Sequence, residues 1–339
     1  MRAFANSALS ILLIAGVMGI GESRAATAMR LTFDRPLDAS FAPFMLAANK
    51  GFFRDQDLAV TIGIAKNATE AIARVASGET DVALTDINAL VRYRDGDNAI
   101  PVKAVFVMFN RAPYALIARR SRGINALADV EGKILGVAQD DLSIRFWPAV
   151  ARLNGIKLDK IKNEKIGVAV REPMLSAGQI DAATGFSYLA PINMRNRGIP
   201  ASDLAVFRFS DYGSDAYGSA LIVNPKFAAN RPDAVRGLVR AVISGLKLAA
   251  KDTTRAVDDI ISQLDGANRD LELERLRTVM RDNILTDEVK RNGFGSIDGE
   301  RFASALAQLE EDFKLKKPVT PADIFDSSFL PAADTRRPD

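Results

Sequence analysis

Residues 76–83 read Ala-Ser-Gly-Glu-Thr-Asp-Val-Ala, and a hundred residues later 176–183 read Ser-Ala-Gly-Gln-Ile-Asp-Ala-Ala. In both, a helical pattern ends on a glycine (Gly78, Gly178). An aspartate follows three positions on (Asp81, Asp181), and a short apolar run begins. A glycine just past a helix end takes the left-handed conformation that stops the helix. An apolar run after a polar turn reads as a buried strand. Two such units, one in each half of residues 1–220, predict two similar α/β lobes with a site between them.

Working outward, the same alternation recurs. Strands are expected at 29–33, 58–65, 82–84, 102–108 and 114–118 of a first lobe, and at 134–138, 166–170, 182–184 and 204–209 of a second. A return strand is expected at 219–223. Helical patterns lie between them, with Asn67 and Glu70 in capping-box spacing ahead of one. Beyond Asn230 the chain reads as amphipathic helix to about Leu315. Strands alternating with helices imply a mostly parallel sheet in each lobe. The expected division is lobe 1 at 29–118 plus 220–330, discontinuous, and lobe 2 at 119–219, with crossovers near 117–119 and 219–221.

The first 28 residues read as a leader. Arg2 is a short positive region, Leu9–Ile20 is an apolar run too short to span a bilayer, and small residues follow at Ser23-Arg24-Ala25 and Ala26-Thr27-Ala28. The mature protein is expected to begin between residues 26 and 29 and to be periplasmic. The 339-residue chain has no cysteine and no histidine. It therefore offers no disulfide, no thiolate nucleophile, no lipid attachment cysteine, no imidazole acid–base group and no histidine metal ligand. A net charge of +3, with both signs interspersed, argues against nucleic acid as a partner. No cofactor, metal or catalytic residue is expected, and the chain is expected to act as a monomer.

In parallel sheets ligands bind beyond the carboxyl ends of the strands, against helix starts. That rule selects Asp38 and Phe41; Asn67, Ala68 and Thr69; Thr85 and Asp86; Asn110; Gln139 and Asp140; Phe186; and Asp211 and Tyr212. The polar members can present side-chain and backbone donors, and Phe41, Phe186 and Tyr212 flat walls. Asn67, Thr85 and Asp86 are equally good plain helix caps, and Phe41 and Phe186 suit a core. These loops lean acidic: Asp34, Asp38, Asp86, Asp140, Asp141, Glu172, Asp211 and Asp215 stand against Arg35, Lys66, Arg111 and Arg171. This favours a neutral or nitrogenous ligand over a bare anion.

Several blocks resemble one family. Leu31-Thr32-Phe33-Asp34, Ala42-Pro43-Phe44 and Ala48-Asn49-Lys50-Gly51-Phe52-Phe53 are similar to the opening of the nitrate/taurine/sulfonate and thiamine-pyrimidine (Thi5-like) group of ABC-importer solute-binding proteins. Residues 76–83 resemble its second block, and Gly123-Ile124 with 129–137 its entry into the second lobe. Asp211-Tyr212-Gly213 and Val223-Asn224-Pro225-Lys226-Phe227 resemble its return crossover. The resemblance implies a two-lobed periplasmic-binding-protein fold (type II). A small polar organic ligand (pyrimidine-like, aromatic acid or sulfonate) would sit in the cleft, the hinge would close on it, and a membrane permease would be the partner. Thiamine-pyrimidine members often carry His where Phe41 stands. The family's pyrimidine synthases need His and a Cys-rich motif, and its desulfinases a Cys nucleophile. Neither residue type occurs here, which disfavours those enzyme branches; a receptor is the leading reading, with an enzyme of Asp/Lys chemistry on the same fold as the alternative.

Overall fold

The computed structural model describes residues 25–138 and 141–338. Most of the leader, residues 1–24, falls outside them, as do the candidates Gln139 and Asp140. Among the described residues ten strands form: β1 Thr27–Phe33, β2 Leu58–Ile64, β3 Val82–Asp86, β4 Lys103–Val107, β5 Tyr114–Arg119, β6 Ile134–Ala138, β7 Lys162–Ile166, β8 Ala182–Phe186, β9 Leu204–Arg208 and β10 Ser219–Val223. They build two sheets, ordered β2-β1-β3-β10-β4 and β7-β6-β8-β5-β9.

The two sheets share one plan. Three strands pair in parallel (β2-β1-β3 and β7-β6-β8), and the fourth runs antiparallel to both neighbours. The odd strand is in each case the one whose chain has just crossed from the other sheet. Strands laid down by β-α-β winding all start from the same edge. A strand entering across the cleft starts at the opposite edge and must run against them.

The quoted repeats carry this plan. Gly78 and Gly178 have φ of 82° and 71°, as the left-handed helix stop requires. Asp81 accepts the backbone N–H of Arg30 at 2.7 Å and its guanidinium at 2.8 Å. Asp181 accepts the N–H of Ile134 at 2.9 Å and the Arg122 guanidinium at 2.9 Å. Each aspartate thus ties the start of its own strand to the neighbouring parallel strand.

Two expectations shift. The first crossing lies at 108–113 and the return at 209–218, because β5 already hydrogen-bonds in the second sheet from Tyr114 and β10 in the first from Ser219. The strand expected at 166–170 lies instead at Lys162–Ile166. There a charged sequence suits an exposed edge paired only to β6, while Val168–Val170 forms an exposed 3-10 turn.

The C-terminal helices pack back on the first sheet. The helix Pro232–Lys251 lies on the helix Ala42–Asn49. Contact there is so close that a Cβ on Gly245 would stand 2.0 Å from the Pro43 carbonyl oxygen. Gly295 bridges to Val107 and Phe325 to Ala104 of β4.

Candidate functional site

The loop after β1 turns into the cleft. Asp38 caps the short turn Ala39–Phe41 by accepting the Ser40 N–H at 2.8 Å, and the turn fixes Phe41, which is fully buried. Phe41 stacks on Phe33 with ring centroids 4.4 Å apart. The Arg35 guanidinium lies 4.5 Å from the Phe41 ring centre. It is held in place by Asp34 at 2.7 Å and by the Ser40 hydroxyl at 3.2 Å.

The second lobe supplies the opposing wall. Phe186 ends β8 and Tyr188 follows it, and both ring centres stand 6.0 Å from the Arg35 guanidinium carbon. The two rings are 5.9 Å apart. Tyr114, at the start of β5, is 6.1 Å from Phe186 and stacks on Phe146 at 4.5 Å. Guanidinium and rings from the two lobes thus form one cluster across the cleft.

Beneath it lies a buried polar knot. Asp86 accepts the Tyr114 hydroxyl at 2.6 Å and the Asn88 N–H at 2.8 Å. The Asn88 amide also reaches the Tyr217 carbonyl at 2.7 Å. The knot therefore joins β3 to both crossing segments, one entering at Tyr114 and one returning at Tyr217. Burial pushes the Asp86 carboxyl up to about 6, against the hydrogen bonds from Tyr114 and Asn88 that hold it down. Burial likewise raises the Tyr114 and Tyr188 phenols, so both stay protonated donors at neutral pH.

The helix Arg269–Val279 spans the cluster's edge. Its buried Glu272 accepts the Ala39 N–H at 2.8 Å and pairs with Arg275 at 3.0 Å; Arg275 donates to the Tyr188 carbonyl at 3.5 Å. Arg195–Glu274 and Arg208–Asp282 (2.9 Å) add ion pairs between the second lobe and this C-terminal segment. Five buried polar atoms around the cleft have no partner within the protein: Arg35 Nε, Thr85 Oγ1, Asn88 Oδ1, Ser187 Oγ and the Tyr188 hydroxyl. Buried groups left unpaired are rare in folded proteins, and where they converge they mark a place for a partner.

Of the candidates read from sequence, the cluster brings together Asp38, Phe41 and Phe186 with Thr85 and Asp86 beside them. Others lie apart. Asn67 is an exposed helix cap accepting the Glu70 N–H at 3.0 Å, with Ala68 and Thr69 following it on the rim. Asn110 is spent on Thr286, Glu288 and Arg301 of the C-terminal region, at 2.6, 2.8 and 3.2 Å. Asp211 is exposed and paired to Arg208 at 2.8 Å. Tyr212 packs on Phe207 at 6.2 Å, and its carbonyl accepts Asn154. The sequence reading did not select Arg35, Asn88, Tyr114 or Tyr188. Arg35 and Tyr188 stand in or next to loops that the strand-end rule had marked; Tyr114 begins a strand, where that rule does not look. Among the described residues no cluster of acidic side chains could hold a metal ion, and no helix is long and apolar enough to cross a membrane.

Two lobes of one plan, with a cleft lined from both, make this a periplasmic-binding-protein fold. The aliphatic sulphonate binding protein SsuA from Escherichia coli superposes with a TM-score of 0.71 at 12% identity, covering 90% of this chain and 94% of that one. The chain belongs to the NMT1/THI5-like family, whose model matches residues 38–256. It is similar to the riboflavin-binding protein RibY of Chloroflexus aurantiacus, 22% identical over 86% of this chain and 82% of that protein. It is also similar to 4-amino-5-hydroxymethyl-2-methylpyrimidine phosphate synthase of Schizosaccharomyces pombe, 24% identical over 65% of this chain and 64% of the enzyme.

Proposed function

We propose that this protein is the periplasmic substrate-binding component of an ABC importer. It takes a small, flat, polar organic solute in the interlobe cleft and presents the closed form to a membrane permease. One observation carries the reading: the Arg35 guanidinium, stacked on Phe41 of the first lobe at 4.5 Å, lies 6.0 Å from the ring centres of Phe186 and Tyr188 of the second. A solute between them touches both lobes and so stabilises closure about the two crossing segments. The names of relatives that bind riboflavin or make a pyrimidine support a flat heterocycle over an aliphatic sulfonate. Native mass spectrometry of protein purified without refolding tests this. A retained small molecule that is returned unchanged, with a smaller radius of gyration in scattering when bound, is the expected result.

A second reading, an enzyme of Asp/Lys chemistry on the same fold, is favoured by one feature. Asp86, pushed up to about 6 and bonded to Tyr114 at 2.6 Å, titrates in the range of a general acid–base group. Turnover of the retained molecule would establish it.

A further inference from the structure

We propose that Arg35 is the floor of the ligand site and that, with Tyr188, it selects a flat, uncharged ring bearing a ring carbonyl. The inference rests on the receptor reading above and names the ligand class of that site.

Shape comes first. Phe33, Phe41 and Arg35 form a continuous stack at 4.4 and 4.5 Å, ending on a planar guanidinium. Asp34 and Ser40 hold both of its terminal nitrogens, so the plane is fixed. Phe186 and Tyr188 stand 6.0 Å beyond. A ring inserted between two flat groups needs roughly 3.5 Å to each, about 7 Å in all. The second-lobe rings must therefore move outward to admit it, and a guanidinium stacks well on a π-face.

The hydrogen bonds come next. Arg35 Nε is a buried donor without an acceptor. The Tyr188 hydroxyl, beside Ser40 and Arg35, is 1% exposed and makes no hydrogen bond of proper geometry within the protein. Ser187, 6% exposed and next to Tyr188 in sequence, adds a second unpartnered hydroxyl. Donors from both lobes thus lack an acceptor in one place, and a ring carbonyl on a stacked ligand supplies it.

Charge decides between a carbonyl and an anion. Asp34 already neutralises Arg35 at 2.7 Å. Asp38 and Asp86 remain around the cluster, both less than a tenth exposed. A full anion would face these carboxylates; a neutral carbonyl would not.

The test is calorimetry on the full chain with five probes. Uracil and lumichrome are flat, neutral and carry ring carbonyls. 2-Aminopyrimidine is flat without a carbonyl, benzoate is a flat anion, and ethanesulfonate is an anion that is not flat. Two variants accompany the wild type: Arg35→Lys keeps the charge and loses the plane, and Tyr188→Phe removes only the hydroxyl beside Ser40. The expected result is that uracil or lumichrome binds the wild type best. Its affinity should fall at least tenfold in Arg35→Lys and about two- to tenfold in Tyr188→Phe, which keeps or raises its unfolding temperature. If Arg35→Lys fails to fold, Tyr188→Phe alone decides. Undiminished affinity in the variants, or a wild-type preference for any of the other three probes, overturns the inference and leaves the receptor reading standing. Chemical conversion of a probe, or no binding by any of the five, overturns both.

Discussion

Gly245→Ala sets two effects of known sign against each other. Gly245 lies inside the helix Pro232–Lys251, where alanine in place of glycine should add about 0.5–1 kcal/mol of helix stability. The new Cβ would stand 2.0 Å from the Pro43 carbonyl oxygen, 2.9 Å from its carbonyl carbon and 3.3 Å from its Cα. All three are backbone atoms, so no side chain can swing aside. An ordinary carbon–oxygen contact is about 3.3 Å, so the helices must separate by roughly 1 Å. A gap of that size forfeits a quarter to a half of the dispersion energy along the contact. Overpacking of this kind costs about 1–3 kcal/mol. The steric term should win, leaving a net loss of roughly 1–2 kcal/mol. The assay is urea denaturation, read as a lower midpoint at constant slope. Gly299→Ala is the control, since its Cβ would meet nothing within 4 Å. Pro43 opens the helix that follows Phe41, so Gly245→Ala should also weaken ligand binding by moving the aromatic floor. A variant as stable as the wild type would refute the claim that this close approach positions the loop of residues 34–41.

Asp86→Asn should remove a pH dependence. In the folded state Asp86 titrates near 6, against 3.8 for the ordinary group, so the folded protein holds a proton that the unfolded chain has lost. Its contribution is therefore fully present below about pH 4 and is lost as pH rises to 6. The wild-type-minus-variant difference in unfolding free energy should fall by on the order of 1–3 kcal/mol across that window, as measured by denaturation at pH 4 and 7. Phe186→Ala, at a half-buried ring, should leave the fold intact and lower ligand affinity by about 1–2 kcal/mol in calorimetry; wild-type affinity would remove Phe186 from the site. The exported protein should begin at Ala26, because Thr27 already pairs with Leu58 and donates to the Asp57 carbonyl at 2.7 Å. An intact mass starting at Met29 would contradict this.

What the sequence determined by itself is what neighbours along the chain decide. Glycine stops at Gly78 and Gly178, the aspartates that follow them, and most strand windows were legible because caps, turns and apolar runs act over a few residues. So was the double α/β plan. The failure at 166–170 has the same origin. An edge strand made of Lys162–Ile166 is stabilised by pairing to β6, not by its own composition.

Tertiary structure alone decided which strand-end loops meet. Asn67 and Tyr212 carried the same local signals as Phe41 and Phe186, yet they lie on the rim and against Phe207. Convergence depends on how two crossing strands set one lobe over the other, and on contacts no local pattern contains. Glu272 reaches the Ala39 N–H across 233 residues of sequence. Arg275, three residues on, touches the Tyr188 carbonyl in the other lobe. Arg35 and Tyr188 become a pair only through that arrangement, because the energy that places them comes from the packing of distant segments and not from the residues beside them.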